Sequence, residues 1–144
     1  MLYVRLWLFL QLVIICIADI TRMIIPDVCI LLMLPAALFA PGSWKNRLMA
    51  ALLVWAAFLI AAAVFAIFRS PVPVGMGDVK LFSAIGLISG PGGLLFTFLT
   101  SSLVCGIIST VLLILKKVQK KDQIAFGPFI AVSYALYLAS VSAM

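Results

Sequence analysis

Long apolar runs separated by short polar breaks dominate the chain and predict membrane-spanning helices. The first two runs cover residues 2–18 and 23–40, and the third covers 48–68. Each is close to the ~20 residues that a helix needs to cross the hydrocarbon core of a bilayer. The breaks between them hold charged residues, glycine and proline, which end helices or favour water. The pattern therefore predicts a helical bundle embedded in lipid.

The second half of the chain continues this pattern with one short run. Apolar runs cover residues 78–89, 94–115 and 124–143, and Gly-Pro-Gly-Gly at 90–93 separates the first two of them. The run 78–89 would rise only about 18 Å as a helix, which is short of a ~30 Å hydrocarbon core. A single helix over 78–115 would be too long and would carry the Gly-Pro-Gly-Gly stretch in its interior. We therefore predict about six transmembrane helices, of which the fourth is short.

The composition favours an all-α integral membrane protein and excludes soluble classes. Apolar residues make up 67% of the 144 residues and charged residues 10%, against ~45–50% and ~25% in soluble domains. Ten basic and four acidic residues cannot cover the surface of a soluble fold of this size. We expect membrane lipid around the protein, no nucleic-acid partner, and a single polytopic domain over residues 1–144.

The basic residues fall mostly on one side of the predicted bundle. Six helices place seven of them on the side of the loops near residue 22, at 69–80 and at 116–122: Arg22, Arg69, Lys80, Lys116, Lys117, Lys120 and Lys121. Three lie on the other side: Arg5, Lys45 and Arg47. By the positive-inside rule, the first set faces the cytoplasm and both termini lie outside.

Three of the four acidic residues lie at predicted helix boundaries. Asp19 closes the first helix and Asp78 opens the fourth, with two complete spans between them. Two crossings return the chain to the same membrane face, so Asp19 and Asp78 can face each other. An ionisable group at membrane depth is costly, which makes it a functional candidate. Asp122 instead lies among the loop lysines and is expected to be a solvated counter-charge.

Two carboxylates a few ångströms apart can carry out peptide hydrolysis. They share a proton and titrate as a unit, so one deprotonates a water and the other polarises a peptide carbonyl. This chemistry needs no metal and no cofactor. The chain has no His, and its three Cys are isolated in apolar runs, so a metal site is not expected. The alternative is that both aspartates are helix caps that face headgroup water.

The sequence Gly75-Met76-Gly77-Asp78 favours the catalytic interpretation. The two glycines allow positive φ and a close approach of the backbone to another segment. They place Asp78 at a helix start, where free N–H groups and the helix dipole favour a carboxylate. A GxGD motif at a membrane boundary, with a second aspartate on the same face, is an uncommon combination.

Three motifs resemble those of one family. GMGDVKLFSAIG at 75–86 resembles the second aspartate motif of the type IV prepilin peptidases, which are GxGD membrane proteases. DITRMIIPD at 19–27 is similar to the first motif, an aspartate seven residues before a proline that opens the next helix. AFGPF at 125–129 resembles the PFGPF segment of the family, with Ala125 where proline is usual.

The resemblance implies an aspartic endopeptidase in the bacterial plasma membrane. Such an enzyme removes short basic leaders from prepilin or pseudopilin precursors at the cytoplasmic face, and Asp19 and Asp78 match its catalytic aspartates. Larger members also carry a cysteine-bearing cytoplasmic region linked to N-methylation with S-adenosylmethionine. The first cytoplasmic loop here is about four residues long and has no CxxC. The resemblance is thus to the short, Flp/Tad-type branch, without methyltransferase activity.

The remaining motif residues have supporting roles in this interpretation. Asp27 follows Pro26 at a helix start, where we expect capping more than catalysis. Lys80 can contact lipid phosphate, or it can hold substrate or tune Asp78. The last motif is either an ordinary helix start or a means for the last helix to pack closely near the aspartates. Its residues are Phe126, Gly127 and Pro128.

Two other functions would use the same aspartates. A small transport or pilus-assembly protein would bind protons or cations at Asp19 and Asp78, although no inverted repeat or polar stripe favours it. A GxGD protease that cuts inside transmembrane helices would share the chemistry and differ in its substrate.

Overall fold

The chain folds into helices throughout its described parts. The computed structural model describes residues 2–40, 42–68, 75–115 and 125–143, and these contain no strand. Five α-helices occur in these ranges: α1 (Leu2–Arg22), α2 (Asp27–Met33), α3 (Trp44–Ile67), α4 (Met76–Ile114) and α5 (Gly127–Ala143). A 3₁₀ helix, Leu34–Phe39, continues α2. The expected all-α class is confirmed.

Three helices within the described ranges are long and apolar enough to cross a membrane, namely α1, α3 and α4. The segment Asp27–Phe39 and helix α5 are also apolar but shorter. Large apolar side chains point outward along α3, including Leu52, Leu59 and Ile60. A continuous apolar exterior of this kind is compatible with lipid and not with water. The protein is an integral membrane protein.

Helix α4 reverses direction at Gly90. This residue has φ 71° and ψ −169°, a conformation that glycine adopts readily. Pro91 begins the next turn, where the missing N–H of proline costs no hydrogen bond. The rings of Phe82 and Phe98 lie 5.7 Å apart, whereas a straight helix would separate them by about 24 Å. The two halves of α4 therefore pack against each other.

The expected count of six helices is not confirmed, because the segments predicted at 78–89 and 94–115 form the single element α4. The break lies within the predicted Gly-Pro-Gly-Gly stretch. One residue in a left-handed conformation is sufficient to turn the chain, and Pro91 starts the second half at once. No loop separates the two halves, so the described residues contain five α-helices.

The core lies where α1, α2, α4 and α5 meet. Each of these helices contributes fully buried apolar side chains, among them Ile15, Met33, Ile85 and Ile130. Helix α3 packs along α4, and a Cβ at Gly86 would lie 3.2 Å from the backbone nitrogen of Ala51. A side chain at Gly86 would therefore force these two helices apart. The same packing brings the end of α1 and the starts of α2, α4 and α5 to one end of the bundle.

The buried side chain of Arg47 connects α3 to the 3₁₀ helix. It is 7% exposed, and its guanidinium donates a 2.6 Å hydrogen bond to the carbonyl oxygen of Ala37 in the 3₁₀ helix. The guanidinium also lies over the ring of Trp44, 4.9 Å from the centroid. The sequence predicts Arg47 as a loop charge, and the structure gives it a packing role as well.

Candidate active site

A cavity of about 440 Å³ lies where α1 ends and α2 and α4 begin. Asp19 from α1, Asp27 from α2, and Asp78 and Lys80 from α4 line it. The structure therefore places the two aspartates of the sequence motifs in one cavity, although 59 positions separate them in the sequence. Among the residues that the structure describes, no group of three or more His, Cys, Asp or Glu could hold a metal ion.

Asp19 lies in the last turn of α1, because this helix continues to Arg22 and not to the predicted end at 18. Its side chain is only 5% exposed. A buried carboxylate without a partner would be strongly destabilising. The backbone N–H of Gly127 donates a 2.8 Å hydrogen bond to Oδ2 of Asp19. This bond is charge-assisted, and the N-terminus of α5 adds a favourable dipole.

Gly127 approaches Asp19 so closely that no side chain fits between them. A Cβ at this position would lie 2.6 Å from Oδ2 of Asp19 and 2.9 Å from its Cγ. Pro128 follows in the first turn of α5, where a proline is tolerated. The ring of Phe126 lies 6.1 Å from that of Phe82 and fixes this turn against α4. The last motif therefore lies in direct contact with Asp19.

Asp78 lies in the first turn of α4 and is half-buried. Its backbone N–H donates a 3.1 Å hydrogen bond to the carbonyl oxygen of Gly75. A Cβ at Gly75 would lie 3.3 Å from Oδ2 of Asp78. The carboxylates of Asp78 and Asp19 line the same cavity. The start of α4 thus contributes one carboxylate to a cavity that α1 supplies with another.

The glycines of the GxGD motif act through close packing. Gly75 has φ −70°, and the described glycines with positive φ are Gly42 and Gly90. The expectation of positive φ in this motif is therefore wrong. A Cβ at Gly77 would lie 3.0 Å from Cβ of Ile25. Absence of a side chain lets the start of α4 pack on the segment between α1 and α2, which completes the cavity.

Lys80 forms an ion pair with Asp27. Its Nζ lies 2.8 Å from both carboxylate oxygens of Asp27, and the two side chains are 39% and 64% exposed. Asp27 is the first residue of α2, directly after the N-cap Pro26. The predicted position of Asp27 at a helix start is thus confirmed. The sequence did not indicate that Lys80 pairs with Asp27 and so joins α2 to α4. A long-range pair of this kind has no local signature.

Comparison with known proteins identifies relatives of one kind. The model of the type IV leader peptidase family matches residues 6–110. The prepilin leader peptidase/N-methyltransferase of Bacillus subtilis is 33% identical over 125 residues. Proteins of the same name from Stutzerimonas stutzeri and Pseudomonas aeruginosa are each 28% identical over 120 residues. No solved structure matches the chain.

The chain spans less than half the length of these curated relatives. The alignments cover 83% of the chain for the Bacillus subtilis protein and 80% for the other two. The corresponding shares of the relatives are 48%, 42% and 41%. The matched family region contains Asp19, Asp27, Asp78 and Lys80 and ends before Gly127.

Proposed function

The chain belongs to the type IV leader peptidase family, and on that basis we propose that it is a membrane aspartic endopeptidase. Its substrates are precursors of the type IV prepilin or pseudopilin class, from which it removes the leader peptide. The observation that carries this proposal is that Asp19 and Asp78 line one cavity. The names of the curated relatives support the substrate class. The peptidase unit is one polytopic domain over residues 1–144.

In the proposed mechanism, Asp19 and Asp78 share one proton and activate a water. The water loses a proton to one carboxylate as its oxygen attacks the scissile carbonyl carbon. The protonated partner donates a hydrogen bond to the carbonyl oxygen. The C–N bond then breaks as the leaving amine takes up a proton, and the pair returns to its initial state. This sequence uses only side chains of the cavity, so it requires no cofactor.

Leader removal from a purified precursor tests this proposal. The chain and a prepilin precursor are reconstituted together in phosphatidylethanolamine and phosphatidylglycerol vesicles with a chelator and without S-adenosylmethionine. We expect loss of the leader on a gel and one new amino terminus by mass spectrometry. Absence of cleavage, or cleavage only after addition of a metal ion, would contradict the aspartate mechanism.

The same assay tests the absence of methyl transfer. Only residues 23–26 lie between α1 and α2, and they include no cysteine. We therefore expect the new amino terminus to stay unmethylated when S-adenosylmethionine is added. A mass increase of one methyl group would show that this chain carries both activities in the names of its relatives, leader peptidase and N-methyltransferase.

We propose that the cavity faces the cytoplasm of a bacterial plasma membrane. Because α4 reverses at Gly90, its two halves count as two segments, and the described part of the chain still has six segments in total. The loops that carry most of the basic residues therefore still share one side of the bundle. Much of that charge lies outside the described residues: Arg69, Lys116, Lys117, Lys120 and Lys121. In this orientation a basic leader reaches the cavity from the cytoplasm, and both termini lie outside.

Reporter fusions test the orientation. We expect a fusion after Lys120 to report a cytoplasmic location and a fusion after Lys45 to report a periplasmic one, because basic loops are retained inside. Alkaline phosphatase and green fluorescent protein fusions at both positions give opposite readouts. Reversed readouts would place the cavity outside, and equal readouts would contradict the parity of the bundle.

Asp27→Asn is expected to retain leader cleavage within about tenfold of the wild-type rate. The ion pair with Lys80 is largely exposed, and exposed pairs contribute only ~0–1 kcal/mol. Initial rates with the anchored precursor provide the measurement. A loss as large as that of Asp78→Asn would place Asp27 among the catalytic residues.

A further inference from the structure

A second cavity adjoins the one that holds the aspartates. Its volume is about 350 Å³, and it runs as a groove between α2, α3 and α4. Asp27 and Lys80 line both cavities. Their ion pair therefore forms the wall that the two spaces share, and the groove begins where the aspartate cavity ends.

The groove is built from stripes of residues on neighbouring helices. Asp27 and Lys80 each begin one stripe, and both stripes continue at the spacing i+3, i+4 and i+7, which keeps side chains on one helix face. Ile30, Leu31 and Leu34 follow Asp27, and Ser83, Ala84 and Leu87 follow Lys80. Seven residues of helix correspond to about 10 Å, or two turns. The groove thus runs from a charged end along an apolar path.

Small residues create the concavity, and α3 closes its side. Ala51 and Trp55, one turn apart on α3, line the groove opposite the stripe of α4. Leu31 is 63% exposed at its edge, so the apolar wall is open to an occupant. No described segment of the chain fills this space.

The charge of the two cavities matches the two parts of a membrane-anchored precursor. Asp19, Asp27 and Asp78 face a single Lys80 in the first cavity, which favours a basic leader. The second cavity is lined mainly by apolar side chains. A precursor whose cleavage site lies between the aspartates must continue past the Asp27–Lys80 pair, and its apolar segment must stay in the membrane. The groove begins at that point.

We propose that this groove binds the first two helical turns of the apolar segment that follows the cleavage site. The inference rests on the proposed function, because it takes the substrate to be a membrane-anchored precursor. The groove then fixes the depth and direction of the substrate, which brings the scissile bond to the aspartates. Because the groove contacts the substrate equally before and during cleavage, its contribution appears in KM and not in kcat.

Site-specific photocrosslinking tests the occupant directly. A benzoylphenylalanine is placed at Leu31 in an Asp78→Asn chain and irradiated with the precursor in vesicles of phosphatidylethanolamine and phosphatidylglycerol. Leu53 on α3 is the matched control, since it is 59% exposed and Leu31 63%, and it does not line the groove. We expect at least tenfold more adduct at Leu31, mapped by mass spectrometry to the first eight residues of the apolar segment.

The other outcomes each overturn the proposal. Equal adducts from both positions would mean that the groove has no preference for the precursor. Adducts only to lipid, or only to a second copy of the chain, would assign the groove to another occupant. Cleavage by the wild-type chain is measured in parallel, so a failed crosslink with normal cleavage contradicts the groove alone. Absence of cleavage by the wild type contradicts the proposed function instead.

Filling the groove gives an independent kinetic test. Ala51→Leu adds three carbons inside the groove, and Ala57→Leu makes the same change on the exposed side of α3. We expect Ala51→Leu to raise KM for the anchored precursor at least tenfold with kcat within twofold, and Ala57→Leu to change neither. If Ala51→Leu lowers the thermal midpoint of the purified chain, Ser83→Leu replaces it. Unchanged KM in a folded groove variant would overturn the proposal.

Discussion

Asp19→Asn and Asp78→Asn are each expected to reduce the rate of leader cleavage by about 10²–10⁴-fold, the range that a positioned acid or base contributes. An amide cannot accept the proton of the attacking water, and it cannot take part in a shared-proton pair. Because the two residues act as a unit, the double variant should be no slower than either single one. Initial rates with the reconstituted precursor measure all three.

Both variants are expected to stay folded, so the loss of cleavage rate reflects the missing carboxylate and not a loss of structure. Asn has nearly the volume of Asp, and its carbonyl oxygen can still accept the hydrogen bond from Gly127 that Asp19 accepts now. Asp27→Asn is the matched control, because it makes the same change in the same cavity. Full activity of Asp19→Asn or Asp78→Asn would remove the assignment, and it would favour a protein that uses these residues to bind protons or cations.

The convergence of the two aspartates could be predicted because it depends only on parity. Two crossings return a chain to the same membrane face, and this does not depend on the residues at which the helices begin or end. Asp19 could therefore be paired with Asp78 even though α1 ends at Arg22 and not at 18. The apolar runs predicted the helices for a similar reason, since lipid leaves a backbone few alternatives to helix.

The helix count could not be predicted in the same way. The sequence placed a break at Gly-Pro-Gly-Gly but could not tell a loop from a reversal at one residue. Gly90 alone makes the turn, and the helical pattern resumes at Pro91. The packing of Phe82 on Phe98 supports the reversal, but such a contact requires the three-dimensional path of the chain.

The contact between Asp19 and Gly127 also could not be predicted from the sequence, because 108 positions separate the two residues. A glycine directly before a proline at a helix start has an ordinary explanation in capping. The sequence therefore left two interpretations of the last motif open, an ordinary helix start or a means for the last helix to pack near the aspartates. The structure adds the physical reason: the glycine provides both the N–H and the space for a buried carboxylate.

Gly127→Ala is therefore expected to reduce leader cleavage by about 10²-fold, mainly in kcat. A Cβ would lie 2.6 Å from Oδ2 of Asp19, so the carboxylate must move, and a shift of about 1 Å in a catalytic group can have an effect of this size. The hydrogen bond to the buried carboxylate would be lost as well, with a cost of about 1–3 kcal/mol in stability. Steady-state kinetics and thermal unfolding of the purified chain measure the two effects.

Gly106→Ala is the matched control, since a Cβ at Gly106 meets nothing within 4 Å, and both rate and stability should stay near those of the wild type. A double-mutant cycle separates the contact from general damage to α5. Shortening Asp19 to Ala removes the carboxylate that the new methyl group would meet, so Gly127→Ala should cost less stability in the Asp19→Ala chain. A coupling above about 0.5 kcal/mol is expected for residues in contact. Additive costs would mean that Gly127 serves α5 alone and does not position Asp19.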